Sequence, residues 1–272
     1  MCALAWRLVR GARRASLLLG VLRRGWAHAG FGVLLETGYR TVDHPEMADD
    51  VAVLFREHPF ARRGDAPRVV AGLVEERTDA EPDLVREVRR AGACPSGPVP
   101  AGHAAEWLRR YLRISLLPLL ALFRTDGVSL EAHVQNSLLH LEDGWPVRFW
   151  ARDMERTSVC GQRLTATEGL LAADSPLFYP EPEAWLRLKY YVLTNHVGHL
   201  VHVLARAGEA DEERLWRVVR DVLRAGVADR WTEDLLESPV LPAKANLTSW
   251  FTGRGERPLY VEVPNPMCEV SS

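Results

Sequence analysis

The stretch GVSLEAHVQNSLLHLEDGWPVRFWARD, Gly127–Asp153, decides how this chain reads. Two apolar, alternating runs flank the polar turn Glu142-Asp143-Gly144, a pattern that predicts a pair of strands or a strand-helix edge with a reversal between them. Glu131, His133 and Gln135 are spaced two apart. In extended backbone that spacing puts all three on one face and Ala132 and Val134 on the other. Asn136 and Ser137 carry the polar character on to where the strand should give way to a turn. Arg152 and Asp153 close the second run, at a strand end, where functional groups are commonly presented. A carboxylate, an imidazole and amides gathered in this way suit a Mg-nucleotide or a polycarboxylate.

Working outward, 272 residues with 47% hydrophobic and 26% charged side chains match a soluble globular protein with a sizeable core. A net charge of −2 argues against nucleic acid as partner. The longest apolar runs, such as Ile114–Phe123, are too short and interrupted to span a bilayer, so no membrane is expected. Cys2, Cys94, Cys160 and Cys268 are scattered and form no CxxC pair, so neither a zinc site nor a disulfide framework is legible and a reducing cytoplasm is the simplest compartment. No GxGxxG, GxxxxGK[ST] or GxSxG motif occurs, which excludes the common phosphate loops and the nucleophile elbow.

Residues 1–29 form a basic N-terminal segment with Arg7, Arg10, Arg13, Arg14, Arg23 and Arg24, ahead of the first acid, Glu36. It lacks a convincing secretory core and cleavage site and reads as a helix or an organelle presequence. Residues 30–180 read as a mixed region. Gly30–Arg40 is expected as a strand, His44–His58 as a helix through Met47, Val51, Val53 and Leu54, and Val69–Val74 as a buried strand. Asp79–Arg90 reads as a helix, Ala91–Gly102 as a loop, and His103–Phe123 as one long helix bent at Pro118. Residues 181–272 read as a helical subdomain, with an amphipathic stripe over Ala184–Ala207, helices over Asp211–Ala225, Thr232–Ser238 and Leu241–Phe251, and a β-like tail over Leu259–Pro266. The fold class is α+β, a mixed β-sheet with helices followed by a helical C-terminal subdomain.

Other residues invite a functional reading. Lys244, placed in the first turn of its expected helix, opposes the helix dipole and suggests an anion partner. Arg163, a lone arginine after a glycine, would reach the strand pair if the chain doubles back. His196, His199 and His202 share helical faces, but no acid joins them at helical spacing, so they read as packing rather than as a metal site.

The run Glu131-Ala132-His133-Val134-Gln135-Asn136, followed by Arg152-Asp153, resembles the signature of the siderophore synthetases that act independently of nonribosomal peptide synthetases, the IucA/IucC family. Asn195-His196, Pro242-Ala243-Lys244, Val263–Pro266, and Glu36–Arg40 ahead of Phe55-Arg56-Glu57 are similar to further landmarks of that family, and the likeness runs from Gly30 to the end, including the FhuF-like region. It implies a palm-like mixed sheet and an ATP-dependent ligase. Such an enzyme activates a carboxylate of citrate, or a related polycarboxylate, as an acyl adenylate and condenses it with an amine or hydroxylamine during siderophore biosynthesis for iron acquisition. Carried over residue by residue, it implies His133 and Asp153 as catalytic, and Glu131, Gln135, Asn136 and Arg152 around ATP. It further implies Mg2+ on Glu131 and Asp153, and His133, Arg163 and Lys244 on the substrate. Family members are longer, with a front half supplying further nucleotide motifs, and place an arginine where this chain has Trp250. The resemblance therefore implies the C-terminal part of a synthetase, with a complementing N-terminal subunit and a homodimer as candidate partners. Two alternatives share the likeness: a non-catalytic binder of citrate or a siderophore, and a ferric-siderophore reductase, which would need a cysteine-ligated iron–sulfur cluster.

Overall fold

The hairpin within Gly127–Asp153 is the centre of the sheet. The computed structural model describes residues 4–23, 30–42, 44, 51–60, 66–92, 101–163, 171, 174–207, 210–254 and 258–269. In chain order these form α1 (Leu4–Leu22), β1 (Phe31–Val33), β2 (Glu36–Thr41), β3 (Ala52–Arg56), β4 (Arg68–Val69), α2 (Val70–Leu73), α3 (Asp83–Ala91), α4 (Ala101–Ile114), α5 (Leu116–Asp126) and β5 (Val128–Ser129). They continue with β6 (Ser137–Glu142), β7 (Trp145–Ala151), β8 (Ser158–Val159), α6 (Glu181–Leu188), a π-helical segment (Lys189–Val197), α7 (Gly198–Arg206), α8 (Glu212–Arg224), α9 (Arg230–Glu237), β9 (Val240–Lys244), α10 (Asn246–Phe251), β10 (Tyr260–Pro264) and α11 (Pro266–Glu269).

β6 and β7 pair antiparallel, β1 adds parallel to β7, and β4 adds antiparallel to β6, giving the order β1-β7-β6-β4 and the α+β class. Asp143 and Gly144, with φ of 47° and 82°, make the two-residue turn that an Asp-Gly pair favours because it matches strand twist. One sheet face packs on α4, where Tyr111 meets Phe149 edge-on at 6.1 Å. Helix α1 belongs to the same core: Ala15, Leu18, Leu19 and Leu22 recur at helical spacing and are buried. Among the described residues, no helix is long and apolar enough to cross a membrane.

Several expected elements differ. Within His44–His58, Ala52–Arg56 is the strand β3, paired antiparallel with β2, and residues 45–50 lie outside the described set. Burial alternates along Ala52–Arg56, so the period of two overrides a helical spacing too short to be diagnostic. The expected Gly30–Arg40 strand is two strands, β1 and β2. Of Val69–Val74 only Val69 is in a strand; Val70 and Leu73, three apart and fully buried, form a single helical turn. The long helix breaks at Ser115 rather than bending at Pro118, which sits in the first turn of α5 where its missing N–H costs nothing. The expected helix over Leu241–Phe251 is a strand followed by a short helix. β9 pairs with β10 in a two-stranded ladder that tolerates Pro242, and α10 begins only at Asn246. The end of the chain is thus not purely helical.

Candidate active site

Between β5 and β6 the chain runs through Leu130–His133 and a 3-10 turn at Val134–Asn136. Glu131, His133 and Gln135 therefore do not sit on the strand the sequence predicts, yet all three border one cavity of about 670 Å³. The turn forms because the His133 side chain caps it: Nδ1 accepts the Gln135 N–H at 3.2 Å. That leaves Nε2 as the protonated nitrogen of the neutral ring. Asn136 Nδ2 donates to the Glu131 carbonyl at 3.3 Å and braces the same segment.

The other walls come from α2 with Val74, the turn after β7, the π-helical segment with the first turn of α7, and the end of β9 with Asn246. Asp153 adopts φ 67° and ψ 78°, a left-handed conformation uncommon for a non-glycine residue and frequent at functional sites. Asp153 makes no hydrogen bond or ion pair within the described residues, whereas its neighbours are tied down. Met154 N donates to Glu36 Oε2 at 3.3 Å, and Glu155 pairs with Arg156 at 3.3 Å. Lys244 ends β9 instead of starting a helix. Its Nζ hydrogen-bonds the Tyr191 hydroxyl and lies 4.3 Å from the Tyr191 ring centre, so its partner is a phenol.

Charges in this cavity are interleaved. Burial raises the Glu131 pKa, opposed by Arg187, whose Nη2 lies 2.5 Å from Oε1. Burial lowers His133, partly offset by Asp153, and keeps its ring neutral. Burial raises Glu155, reinforced by the charge of Asp153. Burial works against Arg156, but the carboxylates of Glu131 and Glu155 outweigh it and hold that guanidinium above its ordinary value. Burial also lowers Lys244, against the pull of Glu131. The result is a polar cleft able to neutralise an anion with Lys244 and Arg156 while offering carboxylates, an imidazole N–H and the amides of Gln135, Asn136 and Asn195.

Not every expected site residue borders it. Arg152 turns its Nη2 to the Gln135 carbonyl at 2.9 Å and supports the turn from behind. Arg163 is placed elsewhere: it binds the Arg124 carbonyl, lies 3.5 Å from Glu181 and 5.8 Å from the Trp231 ring, and the chain does not double back to the cavity. Glu131 is committed to Arg187, and no group of three His, Cys, Asp or Glu side chains suited to a metal exists among the described residues. Arg187, Tyr190, Tyr191 and Asn195 also serve the site, Arg187 through Glu131 and the other three at the cavity, and the signal in the sequence is their three-to-four spacing along an otherwise apolar helix.

Comparison with known proteins bears on this geometry. The family model described as "Ferric iron reductase FhuF-like transporter" matches residues 105–259. The chain belongs to the FhuF-like family. Its curated relatives include citrate ligases and siderophore synthetases of the IucA/IucC type. The L-2,3-diaminopropanoate–citrate ligase of Staphylococcus aureus is 37% identical over 264 residues, covering 88% of this chain and 43% of that protein. The spermidine–citrate ligase of Bacillus anthracis is 29% identical, covering 88% and 42%. This FhuF-like chain thus spans less than half the length of these relatives. The fold matches the ATP-bound aerobactin synthetase IucA of Klebsiella pneumoniae with a TM-score of 0.83 at 20% identity, over 97% of this chain and 49% of that one. The petrobactin biosynthesis protein AsbB of Bacillus anthracis gives 0.76 at 19% identity, over 98% and 48%. The described cysteines of this FhuF-like chain are apart: Cys160 is buried beside Gly127, whereas Cys268 is exposed and bonds the Leu236 and Ser238 carbonyls.

Proposed function

We propose that the cavity is the carboxylate-activating part of an ATP-dependent ligase that joins citrate, or a related polycarboxylate, to an amine or hydroxylamine in siderophore biosynthesis. One observation carries this reading. Glu131 and His133 from one segment, Asp153 from a second and Lys244 from a third meet at one polar cavity of ligand size. The citrate–amine ligase activity named for two relatives and the ATP bound to a structural neighbour support it.

The residues suit these ligands. Carboxylate activation brings one anion against another, so charge neutralisation and alignment dominate. Lys244 and Arg156 supply the positive charge. The His133 Nε2–H is free to donate to a carboxylate or phosphate oxygen, because Nδ1 is occupied by Gln135 N–H. Mg2+ takes one or two protein carboxylates and otherwise phosphate oxygens and water. Asp153, with neighbouring Glu155, suits that role, and Glu131 suits it less while Arg187 holds it. ATP would supply the adenylyl group; the protein's part is to hold the carboxylate in line and keep the His133 ring neutral. Activity of a whole synthetase further draws on the sequence that the relatives have beyond the matched part.

The test is citrate-dependent pyrophosphate release from ATP, by this chain alone and mixed with a polypeptide equivalent to the unmatched part of a relative. Weak Mg-ATP binding alone and release only in the mixture are expected. Citrate binding in calorimetry without release in either case would replace the ligase with a binding protein.

A further inference from the structure

The π-helical segment does two things at once. Its wide turns place Tyr190, Tyr191 and Asn195 on the cavity, while His196, the very next residue, faces the core and is 2% exposed. Such segments recur at functional sites because the inserted residue shifts the register of one turn. His196 uses both ring nitrogens. Nδ1–H donates to the Ala132 carbonyl at 2.6 Å, and Nε2 accepts from the Tyr111 hydroxyl of α4. Ser137 Oγ adds a longer bond to the same carbonyl, at 3.3 Å. Ala132 stands between Glu131 and His133, with its own side chain buried and theirs at the cavity.

We propose that His196 is a positioning residue of the candidate site: by holding the Ala132 carbonyl from the core side, it sets where Glu131 and His133 stand. The proposal rests on the reading of the cavity as the ligand site. The two histidines then carry opposite tautomers, Nδ1–H on His196 and Nε2–H on His133, because one donates to a carbonyl and the other accepts from a backbone N–H. Burial pulls the His196 pKa to about 4, so the ring stays neutral and this grip persists at neutral pH.

His196→Asn keeps an amide N–H where Nδ1 stands, whereas His196→Gln keeps a polar group only where Nε2 stands. Two readouts separate positioning from mere packing. Long-range proton–nitrogen spectra of the ligand-free chain report the His133 tautomer, and calorimetry reports the Kd of citrate alone and of Mg-ATP alone. In His196→Asn, His133 is expected to keep its Nε2–H signature and the Kd to stay within about threefold of the parent. In His196→Gln, the two His133 nitrogens are expected to average and the Kd to weaken by about tenfold or more. Equal behaviour of the two variants, in either direction, overturns the proposal, as does a lowered Tm with His133 unchanged in both. If the parent chain binds neither citrate nor Mg-ATP, the ligand reading of the cavity falls, and the His133 spectra still decide whether His196 positions that segment.

Discussion

A single ion pair shows what holds the candidate site at residue scale. Glu131 and Arg187 are both nearly buried, and each is tolerable only with the other. Arg187→Ala is expected to cost about 3–5 kcal/mol in urea denaturation, because it strands a buried carboxylate. His133 contrasts with it: half-buried and capping only a local turn, it contributes little to the fold. His133→Ala should abolish pyrophosphate release by the complemented enzyme and leave the Tm nearly unchanged; a large loss of stability would make it a core residue instead. His196 sets a pH dependence. Its pKa is about 4 when folded against an ordinary 6.5, so between these values the unfolded chain binds a proton that the folded chain does not. Stability is therefore full above pH 6.5 and is lost as pH falls towards 4. Between pH 7 and 5 the loss from this group is on the order of 2 kcal/mol. Denaturation curves at the two pH values check this, with His196→Asn expected to show a flatter profile.

At the scale of elements, the β6–β7 hairpin was legible because Asp143-Gly144 marks its turn and flanking residues alternate. Its tip is also a packing site. A Cβ on Gly144 would come within 2.3 Å of the Glu87 carbonyl oxygen and 2.6 Å of Ala91 N, at a φ of 82°. The Trp107 indole N–H meanwhile donates to the Gly144 carbonyl at 2.8 Å. Gly144→Ala is thus expected to cost about 2–4 kcal/mol, measured by urea denaturation, through strain and a shifted α3. Helices α3 and α8 were legible as well, since their apolar faces follow a clean period, whereas β3, α2 and β9 were not. Short apolar runs do not distinguish a strand from one helical turn, and the partner that decides lies elsewhere in the chain: β2 for β3, β10 for β9.

Across the whole molecule, α1 is tied to the site through Glu36. Its Oε2 accepts from Ser16 of α1 at 2.9 Å and from Met154 N beside Asp153, and its Oε1 accepts from Arg56 of β3 at 2.9 Å. The basic N-terminal segment carries the helix that sequence offered as one of its two readings, α1, which supplies core, and Arg23 after it pairs with Glu57 at 2.9 Å. Glu36→Ala removes the acceptor for three donors and is expected to cost about 3 kcal/mol, read as a lowered Tm. The same variant should weaken Mg-ATP binding if the Asp153 turn loosens with it.

By itself the sequence determined the polar cluster Glu131–Asn136, the hairpin that follows it, the amphipathic helices and the α+β class, because these depend on side-chain period and turn chemistry within a few residues. Only the tertiary structure decided that Lys244 and the Tyr190–Asn195 face join that cluster while Arg163 does not. It also decided that Glu131 answers to Arg187, and that His196 grips the segment from the core. Those outcomes depend on which distant elements pack together, and burial sets the charge state of each group only after that packing is made.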